Sequence, residues 1–330
     1  MMKYEIFFFI GFIFVFLGAG CWVILLHKKI KRLQTKQEVM IREKEQSKKK
    51  EEIQNAMLPM RLLQLFGQED YEKIAIGEER TIQAAVMSFN LHGFSNIVRS
   101  RNTEEIFGLV NKVLEYVVQA VLYQNGEIDK FLKAGLTALY LNEEERALRT
   151  AISVCEALNQ KNIIDASYSM GLSYGEVMAG IVGHEKRFGM LTISETTGIA
   201  EFLQELGEKY GARIIISGSL KKQIPDFEKR YNSRYLGNIY LKVSGIMEEI
   251  YEVYDGDAPV DKNAKRKTRL LFEKGVELFQ ERRFYDAQLH FIEVLKANRM
   301  DGAAREYLYL CNQYQDKEDI FNVPVYLEIY

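Results

Sequence analysis

The sequence predicts an α+β domain built on a mixed sheet, with an apolar segment before it and a helical unit after it. Three observations carry that expectation. From about residue 80 short apolar runs alternate with amphipathic helical runs; residues 6 to 26 contain no charged side chain; and beyond residue 268 the apolar spacing is helical.

After a short N-terminus at residues 1–5, IFFFIGFIFVFLGAGCWVILL at residues 6–26 spans roughly the 30 Å of bilayer hydrocarbon at about 1.5 Å per residue. It is expected to be a transmembrane helix. A cleaved signal peptide competes, but the run exceeds a typical h-region and no A-x-A site precedes a polar start. HKKIKR follows at residues 27–32 while only Lys3 precedes, so the positive-inside bias places the bulk of the chain in the cytoplasm, at the inner membrane. Residues 27–58 are rich in Lys, Glu and Gln and lack Gly and Pro, which predicts a helix leaving the membrane. Ile30, Leu33, Val39, Met40, Ile53 and Met57 suit either a weak parallel coiled coil, broken between Glu43 and Glu52, or a solvated helical spacer.

With 330 residues, 47% hydrophobic and 27% charged, the chain can bury a good core and is not disordered. A net charge of -2 leaves no basic excess, so no nucleic-acid partner is expected. Cys21, Cys155 and Cys311 form no metal-ligand or CxxC spacing, which fits a reducing compartment.

Residues 59–255 are expected to form the central domain. TIQAAVMSFNL predicts a strand, and TEEIFGLVNKVLEYVVQAVLYQ a helix with Thr103 as N-cap and Glu104 and Glu105 in its first turn. IDKFLKAGLTALYL predicts a hairpin turning at Lys133, Ala134 and Gly135. A helix through RALRTAISVCEALNQ follows, then two strands around a turn at Tyr174 and Gly175, a helix in SETTGIAEFLQELGEKYG and a strand in RIIISG. That order predicts helices on one face of the sheet.

Four segments, in order, resemble the class III adenylate/guanylate cyclase domain family. VMSFNLHGFSNI is similar to the family's opening strand V-L-F-x-D-I-x-G-F-T, and NGEIDKFLKAGLTALYL to its G-G-x-x-D-K-F-x-G-D hairpin. GLSYGEVMAGIVGHEKR resembles G-I-x-x-G-x-V-x-x-G-x-x-G-x-x-x-R, and LGNIYLKVSGIMEEIYEV the terminal L-G-x-V-x-V-K-G segment. LPMRLLQLFG, residues 58–67, looks like a lead-in seen in bacterial members. The resemblance covers roughly residues 60–255 and implies a ferredoxin-like mixed sheet working as a head-to-tail dimer. In such a dimer two carboxylates hold two metal ions on a nucleoside triphosphate, while the partner supplies base recognition, an asparagine and an arginine. Gly93, Phe94, Gly126, Asp129, Phe131, Gly171, Gly175, Gly180 and Gly183 fit the family's frame.

The chemistry does not follow the frame. The two metal-holding positions fall on Asn90 and Ala134, the transition-state asparagine and arginine on Gly198 and Phe202, and the base-reading acid or threonine on Leu191. Of that set only Lys130, at the base-contact lysine, keeps its identity. Lys133 replaces a glycine and is expected to point to solvent; Lys242 is retained, but Ser244 stands where a second lysine is usual. Loss of one preorganised donor costs about 3–4 kcal/mol of transition-state stabilisation. The resemblance therefore implies no catalytic residue, no metal and no cofactor. An active partner would not rescue the site, because neither half is whole.

The expected function is a membrane-anchored, catalytically inactive cyclase-homology protein acting as a dimerisation, scaffold or signalling-regulatory module, most simply as a homodimer. The alternatives are a divergent cyclase using Lys130 with Asp129 or Glu195, a component of a larger membrane assembly, and a subunit that sequesters an active cyclase in a dead heterodimer.

Residues 256–267 are polar and are expected to be a linker. Residues 268–315 resemble one tetratricopeptide repeat with an extra helix, on Gly275, Leu278, Phe284, Ala287, Phe291 and Leu295, with Arg299 near the place of the usual proline. A single repeat cannot bury its own face, so it should dock on the central domain or on a protein partner. Residues 316–330 form an aromatic, strand-like tail.

Overall fold

In the computed structural model, alternation along QAAVMSFNL puts Ala85, Met87, Phe89 and Leu91 on one face of β1 (Glu79–Leu91) and Ala84 and Val86 on the other. All six are buried, so the strand needs a layer on each side. The structure describes residues 75–161, 167–184, 187–315 and 325–329, together with scattered positions between Lys29 and Lys48 that are helical and exposed. The apolar run at residues 6–26 and the lead-in at residues 58–67 lie outside the described residues.

After β1 come α1 (Phe94–Ser100), α2 (Thr103–Tyr123), the hairpin of β2 (Glu127–Phe131) and β3 (Gly135–Leu141), and α3 (Glu145–Lys161). β4 (Tyr168–His184), β5 (Arg187–Ile193), α4 (Glu195–Tyr210) and β6 (Ile214–Ser217) follow. Two short helices, α5 (Gly218–Gln223) and α6 (Phe227–Arg230), lead to β7 (Ser233–Leu241) and β8 (Ile246–Val253). The sheet runs β2-β3-β1-β4-β6-β8-β7, with β5 paired to the far half of β4. The β4–β6 pairing is parallel, so the sheet is mixed as expected.

Helices were expected on one face; they lie on both. α2 and α3 pack Val113, Val117, Val121, Leu148 and Val154 against the Met87 face. α4 takes the opposite face, with Ala200 against Ala84 and Val86. Gly171 of β4 makes this possible: a Cβ there would sit 2.0 Å from the Ala200 carbonyl oxygen, so only glycine lets the helix lie this close.

Three local expectations change. Tyr174 and Gly175 are not a turn but lie inside the 17-residue β4, opposite Ala85 and Ala84, because the apolar alternation runs straight through them. Asn102, not Thr103, caps α2; its side-chain oxygen accepts the Glu105 N–H at 2.9 Å. Much of the expected linker at residues 256–267 is helix, since Pro259 suits the first turn and opens α7 (Pro259–Gln280). Among the described residues α2 is the one helix long and apolar enough to cross a membrane, yet it lies on the sheet with three valines in the core.

α7, α8 (Phe284–Ala297) and α9 (Gly302–Tyr314) pack against β7 and α4, where Phe272, Phe279, Phe291 and Tyr307 join Leu203, Leu236 and Ile239 in a second core. This unit also covers an edge strand. Glu273 accepts the Tyr235 N–H at 3.0 Å, the Tyr307 hydroxyl donates to the Leu236 carbonyl at 2.5 Å, and β9 (Leu327–Ile329) pairs in parallel with Ile239–Leu241. An open strand edge is an aggregation template, and here it is closed.

A buried ion cluster fastens the same junction. Arg234 of β7 donates to Glu252 at 2.6 Å and to Asp301 at 2.6 and 3.0 Å, with its guanidinium 4.1 Å from the Phe272 ring centre. Lys265 of α7 bridges Glu252 at 2.5 Å and Asp257 at 2.6 Å. Removing one member of a buried set strands its partners. Arg234→Met is therefore expected to lower unfolding free energy by about 3–5 kcal/mol in urea denaturation.

Candidate functional site

The two positions that the cyclase resemblance assigns to metal meet at one end of β1. Asn90 pairs with Gly135 of β3 and Ser169 of β4, and Ala134 precedes Gly135 and accepts the Leu91 N–H at 3.0 Å. Gly135 lets the hairpin close here, since a Cβ would lie 1.9 Å from the Phe89 carbonyl oxygen.

What these residues offer a cation is little. The Asn90 Oδ1 atom is buried and has no hydrogen-bond partner among the described residues, while the Ala134 methyl is part of the hydrophobic core. One neutral amide oxygen does not match the several anionic oxygens that divalent ions on a triphosphate require, so the donor set does not fit two metals. Lys133 is exposed, as expected.

Beside Asn90 lies a polar network that the sequence did not disclose. His92 Nε2 is 2.6 Å from the Ser169 hydroxyl and Nδ1 is 3.1 Å from the Ser167 hydroxyl. Ser169 donates to the Gln204 carbonyl at 2.6 Å and accepts from the Gln204 amide at 3.0 Å, which ties β4 to α4. Burial holds the His92 pKa below 6.5, against an opposing pull from Glu208. Ser169 is fully buried and its hydroxyl already donates to the Gln204 carbonyl, so the group is a structural link between β4 and α4.

The remaining positions gather on β2, β5 and α4. β5 comes over to β2, where Asp129 accepts the Thr137 hydroxyl at 3.1 Å and the Thr192 hydroxyl at 2.8 Å. Burial pushes the Asp129 carboxyl above its usual range in spite of both bonds. Lys130 forms an ion pair with Glu201 of α4 at 3.0 Å. Glu201 lies three residues after Gly198 and one before Phe202, so the retained lysine is occupied by the helix that carries the altered positions.

Gly198 has open space around it, since a Cβ there would meet nothing within 4 Å. Phe202 packs on the second core, and the Glu195 carboxylate accepts the Ser244 N–H at 3.3 Å. Leu191 is 45% exposed on the hairpin arm of β4 and β5, facing the same way as Ile193 and Met178.

No protein-family model matches the chain. Over 273 residues it is 20% identical to the terminal-differentiation specific adenylate cyclase of Dictyostelium discoideum, covering 80% of this chain and 13% of that protein. It is 24% identical over 210 residues to an adenylate cyclase of Anabaena cylindrica, covering 59% of this chain and 41% of that one. The chain thus spans less than half the length of either relative. A solved bacterial light-regulated adenylyl cyclase superposes with a TM-score of 0.56 at 18% identity, over 66% of this chain and 65% of that one. That likeness shows the fold.

Three outcomes follow from the geometry. Stability contributed by neutral His92 is present above about pH 6.5 and is lost as pH falls toward the lower folded pKa, so acidification from pH 7.5 to 5 should destabilise the protein and His92→Gln should flatten that slope. Gly198→Ala, in the first turn of a helix with free space around it, should raise stability by about 0.5–1 kcal/mol. Glu201→Gln should cost less than about 1 kcal/mol, because the pair is solvent-screened. Denaturant titrations measure all three.

Proposed function

Because the chain belongs to the class III adenylate/guanylate cyclase domain family, we propose that it acts as a catalytically inactive member, a dimerising scaffold or signalling-regulatory module held at a membrane. The observation that carries this reading is the pair of metal positions: Asn90 offers a single neutral oxygen and Ala134 a buried methyl. Phosphoryl chemistry depends on positioning and charge neutralisation, and neither is supplied. Gly198 and Phe202 leave the opposite half without its transition-state donors, Leu191 offers no polar atom to a base, and Lys130 is engaged by Glu201.

The dimer of this reading is a homodimer, supported by apolar side chains left on the arm. Met178, Leu191 and Ile193 share one face there, with Ile193 61% exposed. Patches of this kind mark association surfaces. The anchor is the uncharged run at residues 6–26, with the bulk of the chain on the cytoplasmic side of the inner membrane. The repeat-like helices α7 and α8 are part of the scaffold, α7 bonded to β7 through Glu273 and α8 packed against α7, and the exposed side of α8 with Tyr285 and Leu289 is left for a protein partner.

The purified chain with ATP or GTP and Mg²⁺ or Mn²⁺ is expected to make no cyclic nucleotide. Product formation that Lys130→Ala abolishes would establish a divergent cyclase instead. Leu191→Asp combined with Ile193→Asp is expected to shift the sedimenting species from dimer to monomer; a monomeric unsubstituted chain would rule the homodimer out.

A further inference from the structure

The outer side of α7 carries a pattern that packing within the domain does not explain. At 3.6 residues per turn Val260, Arg266, Lys267, Leu270, Leu271 and Lys274 fall on one side of the helix, opposite the buried Phe272, Val276 and Phe279. Arg266, Lys267 and Lys274 are exposed, and so are the apolar residues among them: Val260 is 79% and Leu270 77% accessible. Leu270 stands one turn after Arg266 and Lys267 and one turn before Lys274. A merely solvated helix face needs the charges but gains nothing from the large aliphatic side chains.

We propose that this ridge docks on an anionic lipid surface, with headgroup phosphates meeting Arg266, Lys267 and Lys274 while Leu270, Leu271 and Val260 enter the boundary with the acyl chains. Charge complementarity selects this occupant: three cations face outward on that side against two acids, Glu277, which lies 3.0 Å from Lys274, and Glu281 at the helix end, which pairs with Arg283 at 3.6 Å. Shape agrees, because six side chains on one convex helix suit a plane of headgroups better than a peptide that requires a groove. The inference rests on the reading that residues 6–26 hold the chain at a bilayer, which would supply the surface at high local concentration.

The test uses the full chain in nanodiscs, with Trp22→Phe removing the chain's one tryptophan and Leu270→Trp placing a reporter on the ridge. Discs of brominated phosphatidylcholine, alone or mixed equally with brominated phosphatidylglycerol, quench a tryptophan that reaches the acyl boundary. The expected result is quenching several-fold stronger in the anionic discs, lost in high salt and lost on combining Arg266→Glu, Lys267→Glu and Lys274→Glu. Equal quenching in both lipids, or none in the anionic discs, overturns the proposal. Alkaline carbonate extraction from membranes reports the anchor separately. A chain that proves extractable is tested on vesicles of the same two compositions, and absence of anion-selective quenching there overturns the ridge as well.

Discussion

The antiparallel register between β1 and β4 is the constraint on which the rest depends. It runs unbroken from Glu79 opposite Gly180 to Leu91 opposite Tyr168. A slip of one residue would exchange Met87 and Phe89 for Val86 and Ser88 on the face beneath α2 and α3. One end of the ladder sets Asn90 beside Ser169, and the other delivers the chain into the arm that carries Leu191 and Ile193. Between them Gly171 admits α4, and with it Gly198, Glu201 and Phe202. The places of Asn90, Leu191, Gly198 and Phe202 are inherited from that pairing, and the β1–β3 and β2–β3 pairings bring Ala134 and Lys130 to them.

Within this frame, the positions matched to the cyclase motifs, and the acids near them, have contacts of their own. Lys130 meets Glu201, Asp129 receives two threonine hydroxyls, Glu195 holds the Ser244 N–H, and Ala134 and Phe202 pack into cores. Each contact is worth little alone, and the ion pair is screened by solvent. Their common effect is to tie β2, β5 and α4 together without a ligand. Gly198 is the exception, and nothing in the structure explains a glycine in the first turn of that helix.

Much of this was legible in the sequence, for reasons that also mark where legibility stopped. Alternation in β1 and helical spacing in α2 and α3 are local signals, and the expected elements appear where the periodicity put them. The meeting of Asn90 with the turn at Ala134 followed from the order of the motifs. The apparent turn at Tyr174 and Gly175 misled because a glycine that admits close packing against Thr196 looks the same in sequence as one that reverses the chain. The second helical layer was missed because alternation tells which residues are buried, not what covers each face. Long-range polar pairs such as Lys130 with Glu201 and His92 with Ser169 leave no periodic trace at all.

The junction between sheet and C-terminal helices was equally invisible, and it bears most on how rigidly the parts are held. Arg234 lies between a carboxylate of β8 and one at the start of α9, over a ring of α7, with Lys265 closing the cluster. Such a set is costly to break and contributes little net stability over an apolar core, so its consequence is geometric: it fixes one arrangement of the parts. The same helices satisfy the edge of β7, so they cannot lift away without exposing unpaired backbone groups there. An enzyme needs a mobile, charged cleft; a scaffold needs parts that keep their places. The residues this chain buries at the junction serve the second requirement: Arg234, Glu252, Asp301 and Lys265 hold β7, β8, α7 and α9 in one arrangement.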